Sequence, residues 1–213
     1  MTTLILVRHG QSQANLEEYF AGHTNAKLTE TGVKQAQLTA QYLKENYNIS
    51  KVYASDLARA FETGRCISDI FNTEIIPDKN LREVYAGKWE GEAFETITET
   101  YKNDYSTWLN DIGNAKCTNG ESIAELVERV FSALTQIAKE NDGKTVAIAT
   151  HATPIRVTQS IVQTGSLEEM KNIPWVTNAS VSELEYDNGK WNFTKVSMDK
   201  HLADFATARP TNV

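Results

Sequence analysis

Cysteine is scarce in this chain: Cys66 and Cys117 are the only two in 213 residues, they stand far apart, and no C-x-x-C is present. That argues against a disulfide framework and a thiolate metal site, and leaves two buried, reduced thiols as the expectation. Positive charge is also short. Lys and Arg number 21 against 28 Asp and Glu, a formal net charge of -7. The surface as a whole therefore repels nucleic acid and anionic membranes, and an anionic ligand needs a local cationic site. Long apolar runs are missing as well. The N-terminal run Leu4–Val7 meets Arg8 at once, too short for a secretory core or a membrane span. A cytoplasmic protein with no nucleic-acid or membrane partner is expected. No repeat, linker or low-complexity tract divides the chain, and no H-x-x-x-H or H-x-H spacing supports a metal site built from His9, His151 and acidic residues. Neither metal nor cofactor is expected.

What is present is an alternation of strands and helices long enough for one large core. Apolar or β-rich runs near Leu4–Val7, Lys51–Ala54, Thr73–Ile76 and Thr145–Ala149 read as strands. Val33, Ala36, Ala40, Leu43 and Tyr47 share one helical face behind a Thr29 N-cap, and Leu57, Ala60, Phe61, Gly64, Ile67 and Phe71 form a second stripe. Phe94–Leu109 carries an aromatic helical face and is expected to be a lid or subdomain helix. Ser122 and Glu125 form a capping box ahead of a strongly apolar helix. Ser180–Tyr186 and Trp191–Lys195, joined through Asp187-Asn188-Gly189, read as a closing hairpin that extends the sheet antiparallel. The expected architecture is a three-layer α/β/α domain over 1–213, with a mostly parallel central sheet, an antiparallel C-terminal strand and a helical insertion around 79–120.

In open α/β sheets, ligands bind beyond the carboxyl ends of the strands. Four expected strands end in chemistry: Arg8 and His9 follow the first, Asp56 and Arg59 the second, Glu83 the third and His151 the fourth. A phosphoryl group needs cations and donors around its oxygens, an in-line nucleophile and an acid for the leaving oxygen. No serine or cysteine lies in an activated setting, so His9 is the nucleophile, with Arg8 and Arg59 on the phosphate oxygens. Their charge should lower the pKa of His9 and keep it unprotonated. His151 is cast as a donor to the phosphoryl oxygens. Glu83 is cast as the acid, with Tyr85 and Trp89 close in sequence as a partly apolar wall. Gly10 and Gly22 would let backbone approach the ligand.

This ordered set resembles the histidine phosphatase superfamily, which includes the cofactor-dependent phosphoglycerate mutases, and the resemblance spans nearly the whole chain. It implies a phosphorylated His9 within Arg8-His9-Gly10, a phosphate pocket of Arg8, Arg59 and His151, and Glu83 as acid and base. Asn15 matches a polar position that contacts phosphate, and Gln11-Ser12 fits the usual continuation. Leu28-Thr29-Glu30-Thr31-Gly32 and Gly120-Glu121-Ser122 match landmarks that also read as helix starts. Three positions depart from the pattern. Ala21 stands where relatives often carry a polar residue, Ala152 replaces a glycine but could still donate its N–H from a helix start, and Gly64 replaces an alanine.

Each piece also has a plainer reading. His23 and His201 are read as ordinary core or surface side chains, His23 with an option at the pocket entrance. Arg59 could pair with Asp56, and Glu83 with Arg82. Arg82 and Arg156 are read as structural, and Lys88 and Lys102 as solvated unless they meet an anionic substrate. No arginine lies between Arg82 and Arg129, and Trp89-Glu90-Gly91 follows Glu83, which favours the phosphatase branch. The expected function is hydrolysis of a small phosphorylated metabolite through a phosphohistidine. A cofactor-dependent mutase is the enzymatic alternative, and a non-catalytic phosphoprotein-binding module the third reading. Oligomeric state is open, a homodimer included.

Overall fold

The computed structural model describes residues 1–208, and the domain end expected at 213 lies outside them. Six strands form one sheet in the order β3-β2-β4-β1-β5-β6. They are β1 (Thr2–Arg8), β2 (Ile49–Ala54), β3 (Ile75–Pro77), β4 (Thr145–Thr150), β5 (Val181–Asp187) and β6 (Lys190–Met198). The first four run parallel, and β5 pairs antiparallel with β1. Because β6 is in turn antiparallel to β5, it runs in the β1 direction. Only one of the two hairpin strands therefore opposes the sheet. Asn188 and Gly189 close that hairpin with φ of 49° and 84°, the two positive values a type I′ turn requires.

The period-two pattern of the central strands builds two cores. Leu4 and Leu6 of β1, with Val146 and Ile148 of β4, face α6 (Ile123–Glu140) and α7 (Ala152–Thr164). Ile5 and Val7, with Ala147, face Ala40 and Leu43 of α2 (Glu30–Asn46) and Ile67 of α3 (Ala58–Phe71). The result is the three-layer α/β/α arrangement, with β1 buried from both sides.

Local chemistry sets the helix ends. Thr29 Oγ1 accepts from Gly32 N at 3.0 Å and opens α2. Ser122 and Glu125 make the reciprocal capping box that opens α6. Tyr47 lies just outside α2 in an extended conformation and donates its hydroxyl to Glu183 Oε2 at 2.8 Å, and Leu57 is the N-cap of α3. The single helix expected over Phe94–Leu109 is two, α4 (Phe94–Thr100) and α5 (Lys102–Asn110), joined at Tyr101 with φ -117° and ψ 41°. Thr96, Ile97, Thr98 and Thr100 are β-branched, which weakens α4 and makes this an easy place to break. A short helix α1 (Gln13–Leu16) follows β1; in chain order it precedes α2. Cys117 is buried, but Cys66 is only half-buried, and both are free thiols. No helix of the described residues is long and apolar enough to cross a membrane.

Candidate active site

Parallel register does the first part of the assembly. Arg8 stands opposite Thr150, and His9 N donates to Thr150 O at 3.0 Å, so His9 and His151 leave adjacent strand ends together. Their rings meet edge to face with centroids 5.2 Å apart. Arg8, His9, Asn15, Ala21, Gly22, Arg59, Glu83 and Ala152 line one cavity of about 430 Å3. His151 is not in the cavity wall; it is fully buried against His9.

The His9 ring is oriented by its own backbone neighbour. Nδ1 lies 2.7 Å from Gly10 O, and a carbonyl only accepts, so Nδ1 carries the proton and Nε2 keeps its lone pair. Burial is the main reason its pKa falls well below the ordinary 6.5, with Arg59 and Arg8 adding to the shift. From residue identities alone, only the arginines are visible as a cause. His151 is lowered well below 6.5 for the same leading reason, with Arg59 next. Its Nε2 lies 2.8 Å from Ser55 Oγ, while Nδ1 is buried without a partner.

Neutral, buried histidines couple folding to pH. The folded pKa values lie below the unfolded ones, so their contribution is fully present above about pH 6.5 and is lost as pH falls toward the folded values, at up to about 1.4 kcal/mol per pH unit for each ring. Urea midpoints at pH 7.5 and 5.5 should therefore differ, the lower pH being less stable. Replacing both histidines by Asn should flatten that slope; an unchanged slope would contradict the assignment.

Arg8 and Arg59 are 3% and 1% exposed. Burial lowers each guanidinium to about 10, while Glu83 acts the other way, so both remain cationic at neutral pH. Arg8 Nη1 donates to Val176 O at 2.6 Å; Arg59 donates from Nη1 to Thr24 O at 2.9 Å and from Nη2 to Gly22 O at 2.8 Å. Both Nε atoms are buried and unpartnered, and among the described residues neither side chain has an ion-pair partner. Two buried cations with donors to spare call for an anion. The plainer pairing goes elsewhere, since Arg82 holds Asp56 through two bonds of 2.5 and 2.6 Å.

Glu83 accepts from Val84 N at 2.9 Å and from Thr153 N, in the first turn of α7, at 3.3 Å. The apolar wall expected from Tyr85 and Trp89 is not built beside it that way. Tyr85 is exposed against His23, and Trp89 is buried among Phe20, Tyr105 and Trp108. His23 does not line the cavity; its Nε2 donates to Glu83 O at 2.8 Å. Asn15 Oδ1 takes Ser12 N, Ser12 Oγ and Asn178 Nδ2, which leaves its NH2 group as the end free for a ligand. Ala152 is the first residue of α7, where a backbone N–H has no intrahelical partner. Both glycines are also required by packing, and Gly22 lines the cavity as well. A Cβ on Gly10 would lie 2.3 Å from Gly32 O, and one on Gly22, at φ +46°, would lie 2.3 Å from Glu90 Oε1.

Three supporting residues had no role in the sequence reading. Glu90 accepts from His23 N, Thr24 N, Thr24 Oγ1 and Ala86 N, and so holds the loop whose carbonyls grip Arg59. Asn178 bridges His9 O and Asn15. Arg129 donates to Asn80 O, Arg82 O and Glu83 O while pairing with both oxygens of Glu121 at 2.6 and 2.8 Å. Its position, one arginine after an arginine-free stretch, was the only signal available.

Comparison with known proteins bears on this arrangement. The model of the histidine phosphatase superfamily (branch 1) matches residues 4–199. Phosphoserine phosphatase 1 of Hydrogenobacter thermophilus is 29% identical over 205 residues, covering 96% of each chain. The structure of Bacillus stearothermophilus YhfR superposes with a TM-score of 0.90 at 26% identity, covering 95% of this chain and 100% of that one. A phosphoserine phosphatase mutant from Entamoeba histolytica in complex with phosphoserine gives 0.83 at 27% identity, covering 95% and 100%.

Proposed function

The chain belongs to the histidine phosphatase superfamily, and from that premise we propose that it hydrolyses phosphomonoesters of small metabolites through a covalent phosphohistidine at His9. The observation that carries this reading is the pair of buried, anion-seeking arginines beside a neutral His9 whose Nε2 is free. Arg8, Arg59 and the Asn15 amide receive the phosphoryl oxygens from the cavity wall, and His151 Nδ1, buried behind that wall without a partner, is the fourth donor. With the Ser55 hydroxyl donating to Nε2, the neutral His151 ring presents its proton on Nδ1.

Nε2 of His9 forms a bond to phosphorus as the bond to the ester oxygen breaks, and Glu83 gives that oxygen its proton. Glu83 then takes a proton from water, the water oxygen attacks phosphorus, the N–P bond breaks and inorganic phosphate leaves. None of these steps needs a metal or cofactor. The substrate is a small phosphorylated metabolite of the cytoplasm. Residues 79–120 act as a helical cover on a single domain, since Trp108 of α5 lines the cavity while Trp89 and Ile97 join the main core.

Rapid-quench labelling with a turned-over substrate should reveal a transient phosphoenzyme, labile in acid and stable in base. Its absence during active turnover would overturn the proposal. Isomerisation of 3-phosphoglycerate with 2,3-bisphosphoglycerate, at a rate above hydrolysis, would make the mutase the better reading.

A further inference from the structure

Four buried donors in the described part of the site have no hydrogen-bond partner: Arg8 Nε, Arg59 Nε, His151 Nδ1 and Trp108 Nε1. The first three belong to the group around His9. The fourth does not. Trp108 comes from α5, is 2% exposed, and packs edge to face on Phe20 at 5.3 Å, with Phe20 in turn 6.0 Å from Phe94. Phe94 and Trp175 also line the cavity. Aromatic residues thus line this part of the cavity, and one of them, Trp108, carries an unspent buried N–H; a buried donor of that kind gains when a ligand supplies an acceptor.

Charge on this side runs against an anion. Among the described residues, the cations in the cavity wall are Arg8 and Arg59, both engaged around the phosphoryl position, while the carboxylates are Glu83 and Glu18. Lys88 and Lys102 are not in the wall, nor is Arg156, whose guanidinium stacks 4.1 Å from the centroid of Trp175. A carboxylate on the leaving group would surrender water and meet no further cation of the described wall in exchange.

We infer that the leaving-group subsite takes an uncharged alcohol, with a planar or apolar body against Phe94 and Trp175 and an acceptor oxygen on the Trp108 N–H, in preference to alcohols that carry a carboxylate. This rests on the phosphatase reading above.

The test compares kcat/KM for benzyl phosphate and 4-carboxybenzyl phosphate, whose leaving alcohols are closely matched in acidity, with phosphoserine alongside. The full chain is assayed, so that every cation it owns, Arg209 included, can act. The uncharged ester should be favoured at least about tenfold over both carboxylated ones. Equal or better turnover of either carboxylated ester overturns the inference and leaves the phosphatase reading standing. No His9-dependent hydrolysis of any phosphomonoester takes both down. Trp108→Phe should lower kcat/KM for 4-methoxybenzyl phosphate severalfold more than for benzyl phosphate, with the urea midpoint as the folding control. An equal effect on the two removes the Trp108 contact.

Discussion

His9→Ala should lower kcat by about ten-thousandfold or more and abolish the phosphoenzyme, while the protein stays folded and still binds inorganic phosphate. The size follows from the mechanism, because among the described residues no other imidazole lines the cavity. Glu83 is held by Val84 N and Thr153 N, and His151 offers its ring from inside the fold with Nε2 bound to Ser55. Phosphate binding should survive because Arg8 and Arg59 hang on backbone carbonyls of Val176, Thr24 and Gly22 rather than on His9. Competitive inhibition by phosphate would then change little while kcat collapses. Residual turnover within tenfold of wild type would remove His9 as the nucleophile; loss of phosphate affinity together with kcat would point to a collapsed pocket.

Arg129→Met is expected to have the largest effect outside the cavity, destabilising the fold by about 3 kcal/mol and lowering kcat without a matching rise in KM. One guanidinium here satisfies three carbonyls and a carboxylate. Its side chain and that of Glu121 are 19% and 13% exposed, so water replaces those bonds poorly. Removing the cation leaves Glu121 to Tyr85 N alone and leaves His23 as the remaining side-chain donor to Glu83 O. The double variant Arg129→Met with Glu121→Leu should recover part of the stability, since an unpaired, largely buried carboxylate is then gone. It should not recover kcat, because Arg82 O still lacks its Arg129 donor and Glu83 O keeps only the one from His23. Urea denaturation and steady-state rates separate the two effects; a single variant with wild-type stability and kcat would show that the clamp is idle.

The contrast between His9 and Arg129 also explains what could be read from the sequence. Strand ends are legible because apolar runs stop abruptly at charged residues, as Leu4–Val7 does at Arg8, and the parallel sheet then collects those ends on one side. The capping box at Ser122 and the turn at Asn188-Gly189 are equally local, and both form. Arg129 is different. Beyond Glu121, its partners are backbone carbonyls 46 to 49 residues away, and carbonyls leave no trace in residue identity. Glu90 was noticed only as part of Trp89-Glu90-Gly91, since its four bonds reach back to residues 23, 24 and 86. Arg59 and Arg8 do lower the His9 pKa as expected, but the larger cause, burial, is not visible in the sequence, for a related reason. Neighbouring arginines can be counted along a chain, whereas burial exists only once the layers have closed.

The alignment of His9 with His151 has a further meaning. Nothing in the two side chains sets their separation; the ladder Thr3↔Thr145 through Arg8↔Thr150 does. A slip of one residue along it would displace one ring by about 3.3 Å and turn it to the opposite face of the sheet. Catalytic competence is therefore all-or-none with respect to the central ladder. Frayed helices or loosened loops leave the enzyme impaired in degree, but a misregistered β1 leaves none of it working, so turnover is a tell-tale of correct strand pairing during refolding.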